Sequence, residues 1–367
     1  MSEIPDSVFE TLACSDTFYF SKDFLEAFEK GNSDIHCDYV LLLEETTPVA
    51  LLVFQSVQLR LDTAKEQLSF SARVAHSVQC YLNNRKKGLL LLGNIFLSGA
   101  YGVFVSTPSD TYTIYAQVPE ILEYLNQKRK ASVFMIKDME ISHSLEQAYE
   151  TFQEVAVAPN MVLDVIWSDF ETYKNALKSK YRVKINRADT LSKSLQIRSL
   201  TADEILEQAP QLQQLYQNVL DNATYTAGIL NVETYGLLKQ RFRDPDSYRD
   251  VYLNTYARND KIIGFSTAFH VGDRLDAHFI GMDYSCSKEV GLYPRMLNDY
   301  VRLGISLGVK QINFGRTASE IKSTLGAVPE ALVCYVKHRQ ILANVFFKPL
   351  ARQITMTDFK QHTPFKK

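Results

Sequence analysis

The sequence is poor in the residues that mark fibrous, disordered or disulfide-stapled chains. Of 367 residues only 15 are glycine, 11 proline and 5 cysteine, too few for a collagen-like or low-complexity polymer. Cys14, Cys37, Cys80, Cys286 and Cys334 are scattered and never spaced C-x-x-C, so they read as free thiols in a reducing compartment rather than as a disulfide framework. A dominant charge is lacking too: a formal net charge of -2 and a pI near 6.4 exclude a generally basic coat for nucleic acid or membrane. No apolar run approaches the ~20 residues that span a bilayer, and the most apolar one, Gly88 to Phe96, is interrupted by Asn94. The opening residues, Met-Ser-Glu-Ile-Pro-Asp, lack the positive charge and apolar stretch of an export signal, so a cytoplasmic location is expected. H-E-x-x-H, G-x-x-x-x-G-K-[ST] and G-x-S-x-G are absent, and only His36, beside Cys37, suggests even half a metal site, so no metal is expected.

What is present alternates between helical and strand patterns. Hydrophobic residues at 46% and charged residues at 22% are ordinary globular values. The length exceeds what one core usually serves, so two domains are expected, residues 1–162 and 163–345, with 346–367 as a C-terminal tail. In the first half a helix from Ser21 (Phe24, Leu25, Phe28, stopped by Gly31) feeds strands at Asp38 to Glu45 and from Val49. A helix near Ala72 to Asn83 precedes a Leu-rich strand at Gly88, and Gly93, Asn94 and the Gly99 to Gly102 segment read as turns or close backbone approach. Helix Val118 to Lys130, strand Ser132 to Lys137, helix Ser142 to Phe152 and strand Met161 to Trp167 follow.

Capping-box spacing recurs at Ser168 and Glu171, Thr201 and Glu204, and Thr317 and Glu320, each pair predicting a helix start. From the first, Tyr173, Leu177, Tyr181 and Ile185 recur every four residues amid Lys174, Lys178, Lys180, Arg182, Lys184 and Arg187, which predicts one basic amphipathic helix. Its charge could meet a nucleotide phosphate, an RNA backbone or an anionic lipid surface, or form a solvated face over an apolar stripe. A strand at Leu195 to Leu200 and helices toward Leu220 and near Val232 to Phe242 come next. Three strands, Tyr248 to Ala257, Lys261 to His270 and Arg274 to Asp283, are joined by Asn259-Asp260 and Gly272-Asp273, an antiparallel meander. Helix Tyr293 to Leu307 stops at Gly308. Strand Val309 to Phe314, a short helix, strand Ala331 to His338 and a last strand near Leu342 to Phe347 complete the order.

This order in the second half resembles the GNAT acyltransferase fold. The text from Tyr173 to Ala188 resembles the basic helix preceding the catalytic domain of FemAB-like acyltransferases. So does Ile312-Asn-Phe-Gly-Arg-Thr317 followed by Ile321-Lys322 and Leu325-Gly326, the likeness covering roughly Leu163 to His338. The first half resembles it in element order alone. The resemblance implies an α/β (α+β) chain of two GNAT-like domains, each a mixed, mostly antiparallel sheet flanked by helices. It also implies transfer of an acyl or aminoacyl group to an amine, the donor being acetyl-CoA or another acyl-CoA, or tRNA. The leading expectation is N-acyl transfer from acyl-CoA by direct attack in a ternary complex, onto a small-molecule, cell-wall or lipid amine. Aminoacyl-tRNA-dependent transfer to a cell-wall precursor is the alternative, and a non-catalytic sensing or scaffold module is the third.

Candidate residues follow from the chemistry such a site needs. Arg316, closing a buried strand, has a guanidinium fork suited to phosphate or carboxylate, or to tying down neighbouring carbonyls. Lys322, on the next helix, could add a point charge or be a structural lysine. His278, expected opposite Thr267, is a candidate base, with Asp283 the carboxylate alternative. Gly281 marks either a close approach of ligand or a packing concession. The Ser285 to Gly291 loop with Lys288, Gly291 and Tyr293 could hold a pyrophosphate at a helix start, although it carries a single glycine where GNAT enzymes carry a richer loop. On the basic helix, Lys180 and Arg182 match the family's positions and are assigned to donor binding.

Overall fold

The computed structural model describes residues 1, 3–58, 88–106, 111–139, 149–222, 228–242, 248–340, 344 and 359–366. The expected helix at Ala72 to Asn83, Cys80, most of the expected helix at Ser142 to Phe152 and all but Asn344 of the expected strand at Leu342 to Phe347 lie outside them. The chain divides into two compact units: Met1–Val157 with Ala223–Leu230 and Leu332–Met356, and Ala158–Asn222 with Asn231–Ala331 and Thr357–Lys367.

The elements in chain order are α1 (Asp6–Leu12), α2 (Lys22–Gly31), β1 (His36–Glu44), β2 (Thr47–Gln58), β3 (Gly88–Leu92), β4 (Val103–Val105), α3 (Thr111–Arg129), β5 (Val133–Met139) and β6 (Gln153–Asp164). Then come α4 (Phe170–Ala176), α5 (Ser179–Leu191), β7 (Gln196–Ser199), α6 (Ala202–Asp221), α7 (Glu233–Arg241), β8 (Arg249–Arg258), β9 (Lys261–Val271) and β10 (Arg274–Met282). Last are α8 (Leu292–Ser306), β11 (Gln311–Asn313), α9 (Ser319–Ser323) and β12 (Val328–His338).

One strand plan occurs twice. In the first unit β1, β2 and β3 run antiparallel, α3 lies on the crossover to β5 parallel to β3, and β12 adds antiparallel to β5. In the second unit β8, β9 and β10 run antiparallel, α8 crosses over to β11 parallel to β10, and β6 adds antiparallel to β11, with β7 on the far edge. Each is the mixed, mostly antiparallel sheet flanked by helices that the sequence implies. Strands of this kind bury one face per helix layer, and the residues oblige. Leu52, Phe54, Leu90, Leu92, Phe134 and Ile136 meet Val118 and Leu122 of α3, while Leu275 and Ile312 meet Leu297 and Val301 of α8. Full burial of each such side chain contributes about 1.5–3 kcal/mol.

The predicted basic helix is two helices. Leu177 (ψ 145°) and Lys178 (ψ 146°) are extended, which ends α4 and starts α5. The fourfold stripe survives, since Tyr173, Leu177, Tyr181 and Ile185 are all buried, but its continuity as helix does not. The reason is the C-terminal segment. Lys178 N donates to Pro364 O at 2.8 Å and Lys366 N to Ala176 O at 2.9 Å, so strand-like pairing at Leu177 and Phe365 replaces helical bonds. Two of the three capping boxes are also corrected. The start at Ser168 moves by one residue, because Asp169 Oδ1 accepts from Thr172 N at 2.8 Å. At Thr317 there is none: Ala318, at φ 48°, caps α9 without a side-chain bond. The box at Thr201 and Glu204 forms as expected.

Candidate functional site

The second unit's sheet opens beside β11. That strand pairs with β10 only over Arg274, Leu275 and Asp276, whereas β9 follows β10 to Met282. Beyond Asp276 the main chain after β11 stays with β6 instead, Phe314 N donating to Met161 O at 2.8 Å and Met161 N to Gly315 O at 3.2 Å. The β11-facing edge of Ala277 to Met282 therefore has no ladder partner among the described residues. The same stretch is bulged: Ala277 faces Ala268 and Ile280 faces Ser266, so His278 and Phe279 both oppose Thr267. Thr267 Oγ1 donates to Phe279 O at 2.7 Å and pins the bulge.

His278 is thus placed on the face toward α6 and α7. Its Nδ1 lies 2.6 Å from the Tyr235 hydroxyl, and its ring centre lies 4.3 Å from that of Phe279, which stacks on Tyr216. Tyr235 is fully buried, and burial pushes its phenol far above the ordinary range, so it remains protonated. Neither tyrosine was singled out in the sequence, where 20 tyrosines hide any one and a bulge leaves no periodic mark.

Arg316 and Lys322 come together at the end of β11. Asn313 Oδ1 accepts from Gly315 N at 2.9 Å, and Gly315 (φ 67°), Thr317 (φ 65°) and Ala318 (φ 48°) hold the left-handed conformation, costly for the latter two. Lys322 is 4% exposed, and its Nζ donates to Gly315 O at 3.1 Å and Arg316 O at 2.6 Å. Burial lowers its amine to about 7. The amine fastens the strained turn from which the half-buried Arg316 side chain springs.

The remaining candidates lie apart from this pair. Asp283 accepts from Ser285 N and Oγ and pairs with Lys261 Nζ at 3.1 Å, contacts that hold its carboxyl below the usual range and suit a turn more than a base. Gly281 is a close-packing point, since a Cβ there would stand 2.2 Å from the Phe265 ring and 2.9 Å from the Leu215 backbone. Gly291 adopts φ 59° and caps α8. Around it Val290 N, Gly291 N and Leu292 N donate to Cys286 O, Lys288 O and Ser287 O, and Pro294 has no N–H. The loop thereby turns its amides inward, a poor start for a phosphate cradle. Lys288 is exposed, and burial raises the Tyr293 phenol to about 12. Lys180 and Arg182 sit on α5, which packs with α8 on the sheet face bearing Ala268, opposite to that of Phe269 and His278.

The corresponding place in the first unit is filled. There the pairing of β3 with β5 runs to the last residue of β3, Leu92, opposite Ile136. Just beyond, Asp138 (φ 58°) is fully buried. Its Oδ2 accepts from Gly99 N at 3.0 Å and pairs with Lys137 Nζ, while Cys334 Sγ lies 3.5 Å from Oδ1. A carboxylate with its own partners occupies the end of this sheet.

Among the described residues no helix is long and apolar enough to cross a membrane, and no group of three or more His, Cys, Asp and Glu residues is placed to hold a metal. No protein-family model and no curated protein matches the sequence. Solved structures do match. FemX aligns with TM-score 0.53 at 8% identity over 96% of this chain and 99% of that one. The C-terminal domain of a putative lysylphosphatidylglycerol synthetase from Agrobacterium fabrum aligns with TM-score 0.50 at 10% identity, covering 95% and 97%. L-PGS from Bacillus licheniformis gives TM-score 0.50, 10% identity and the same coverages. With identities this low the likeness concerns fold, and the FemAB type in particular is not set by it. The chain has a GNAT-like fold.

Proposed function

We propose that the second unit transfers an acyl group to an amine at the place where β10 parts from β11. The observation that carries this is the bulged, unpartnered edge from Ala277 to Met282 beside the Lys322-fastened turn of Arg316. Main-chain N–H groups on such an edge are preset to hold a carbonyl oxygen as it gains charge. Arg316 holds an anionic group of donor or acceptor by its fork, and Lys322 keeps that fork in place. The acceptor nitrogen attacks the acyl carbon, and the bond from that carbon to the donor sulfur or oxygen breaks. The amine proton goes to His278 Nε2, which requires Nδ1–H to donate to the Tyr235 oxygen. The leaving group takes a proton from Tyr293, which packs in the same cluster as Ile280 of the parted stretch.

Acyl-coenzyme A is the donor that the GNAT-like fold suggests first. A second reading has an aminoacyl group carried on tRNA, and the inward-bonded amides of Cys286, Ser287, Val290, Gly291 and Leu292 favour it, since they offer a pyrophosphate little. The C-terminal domain of a putative lysylphosphatidylglycerol synthetase among the matching folds supports an aminoacyl group and a lipid acceptor as members of the screen. Calorimetric titration with acetyl-coenzyme A and with aminoacyl-tRNA tests both. Saturable binding of either, weakened about tenfold or more by Arg316→Ala, is expected from the loss of a charge-assisted contact. Failure of both to bind at high concentration leaves a non-catalytic module.

A further inference from the structure

We infer that the solvent face of α5 docks the protein on an anionic lipid bilayer, a surface role independent of the transfer reading above. Between Lys174 and Lys193 there are seven basic residues and one acid, Asp189, in a chain whose net charge is -2. That acid is spent inside the fold: Arg302 and Asn298 of α8 donate to its two oxygens. Lys174 pairs with Glu171 and Lys178 Nζ is tied to Thr363 O, so neither adds to the face. Lys180, Arg182, Lys184, Arg187 and Lys193 have no ion-pair partner among the described residues. Lys180, Lys184, Arg187 and Leu191 follow a four, three, four spacing, which lines them along one stripe of the helix.

The choice of a bilayer over a nucleic acid rests on what stands among those charges. Val183 is 62% and Leu191 41% exposed, each within one turn of Lys184 or Arg187. A phosphate backbone needs positive charge and gains nothing from an exposed valine, and α5 presents no outward aromatic ring for a base to stack on. A headgroup layer takes both: the ammonium and guanidinium groups meet anionic headgroups, while the short apolar side chains enter the acyl boundary. The buried stripe of α5, Tyr181, Ile185 and Ala188, stays in the core, so docking needs no unfolding.

The test is co-sedimentation of the full chain with vesicles of phosphatidylcholine alone or containing phosphatidylglycerol, at low and high salt, with a parallel filter-binding titration of tRNA. Each basic residue near an anionic surface contributes about fivefold in partitioning. Lys180→Glu, Lys184→Glu and Arg187→Glu together are therefore expected to cut binding to the anionic vesicles by about a hundredfold. Val183→Ser with Leu191→Ser, which keeps every charge, is expected to cut it several-fold while leaving the melting temperature unchanged. Absence of binding to anionic vesicles overturns the inference, as does binding that Val183→Ser with Leu191→Ser leaves intact. Retention of tRNA that the charge reversals abolish, without vesicle binding, overturns it in favour of RNA.

Discussion

The amine of Lys322 donates to the carbonyl of Arg316 at 2.6 Å from a pocket that leaves the lysine 4% exposed. Burial sets its folded-state pKa near 7 against an ordinary 10.5. Between those values the unfolded chain binds a proton that the folded chain does not, so this residue makes stability rise with pH across the window, and it contributes no slope below it. Lys322→Met removes that slope. Urea unfolding at pH 7 and pH 9 is expected to show the wild type gaining on the variant as pH rises; parallel pH dependences would contradict a buried amine.

Gly281 is expected to tolerate no side chain. Gly281→Ala drives a methyl group into the Phe265 ring and the Leu215 backbone, which costs about 1–3 kcal/mol by overpacking. Because Phe265 lies under the parted strand, catalysis at β10 should fall with it. If Gly281 instead lines a ligand path, binding will weaken while the unfolding midpoint stays where it was.

The C-terminal segment fastens the break between α4 and α5. Phe365 packs on Trp167 and Tyr173 and occupies the space a Cβ at Gly326 would need. Phe365→Ala is expected to cost about 2 kcal/mol and to speed amide exchange at Lys178 and Lys366, whose N–H groups bond across this junction. Unchanged exchange there would mean that the segment adds nothing to the break.

In the first unit Asp138→Asn strips the buried Lys137 ammonium of its counter-charge. Breaking a buried pair from one side costs about 3 kcal/mol. Donor binding by the protein that remains folded is expected to be unaltered, since the chemistry is assigned to the second unit. A calorimetric binding constant that shifts in step with stability would reassign the site.

Much of the fold was legible because its periods are strong. Phe24, Leu25 and Phe28 mark α2, the Asn259-Asp260 and Gly272-Asp273 turns mark the meander, and Gly308, at φ 68°, ends α8's run as expected. The break at Leu177 was not, because the four-residue stripe of buried side chains runs through it and the cause, Phe365, lies far along the chain. The capping signature at Thr317 misled for a related reason: the turn that Lys322 holds puts Thr317 and Ala318 in the left-handed region, where no capping bond forms. At the candidate site, Arg316 and Lys322 could be chosen from residue type and element order. The His278 bulge and its Tyr235 partner could not, since a two-for-one pairing and a contact between β10 and α7 leave no local pattern.

Hydrogen exchange across the whole chain, with acetyl-coenzyme A and with aminoacyl-tRNA added in turn, tests the placement of the site most directly. One of the two donors is expected to slow exchange over residues 277–282 and 314–322 and to leave residues 93–99 and 137–139 unchanged. Protection confined to the latter, or no protection by either donor, would contradict a transfer site where β10 parts from β11.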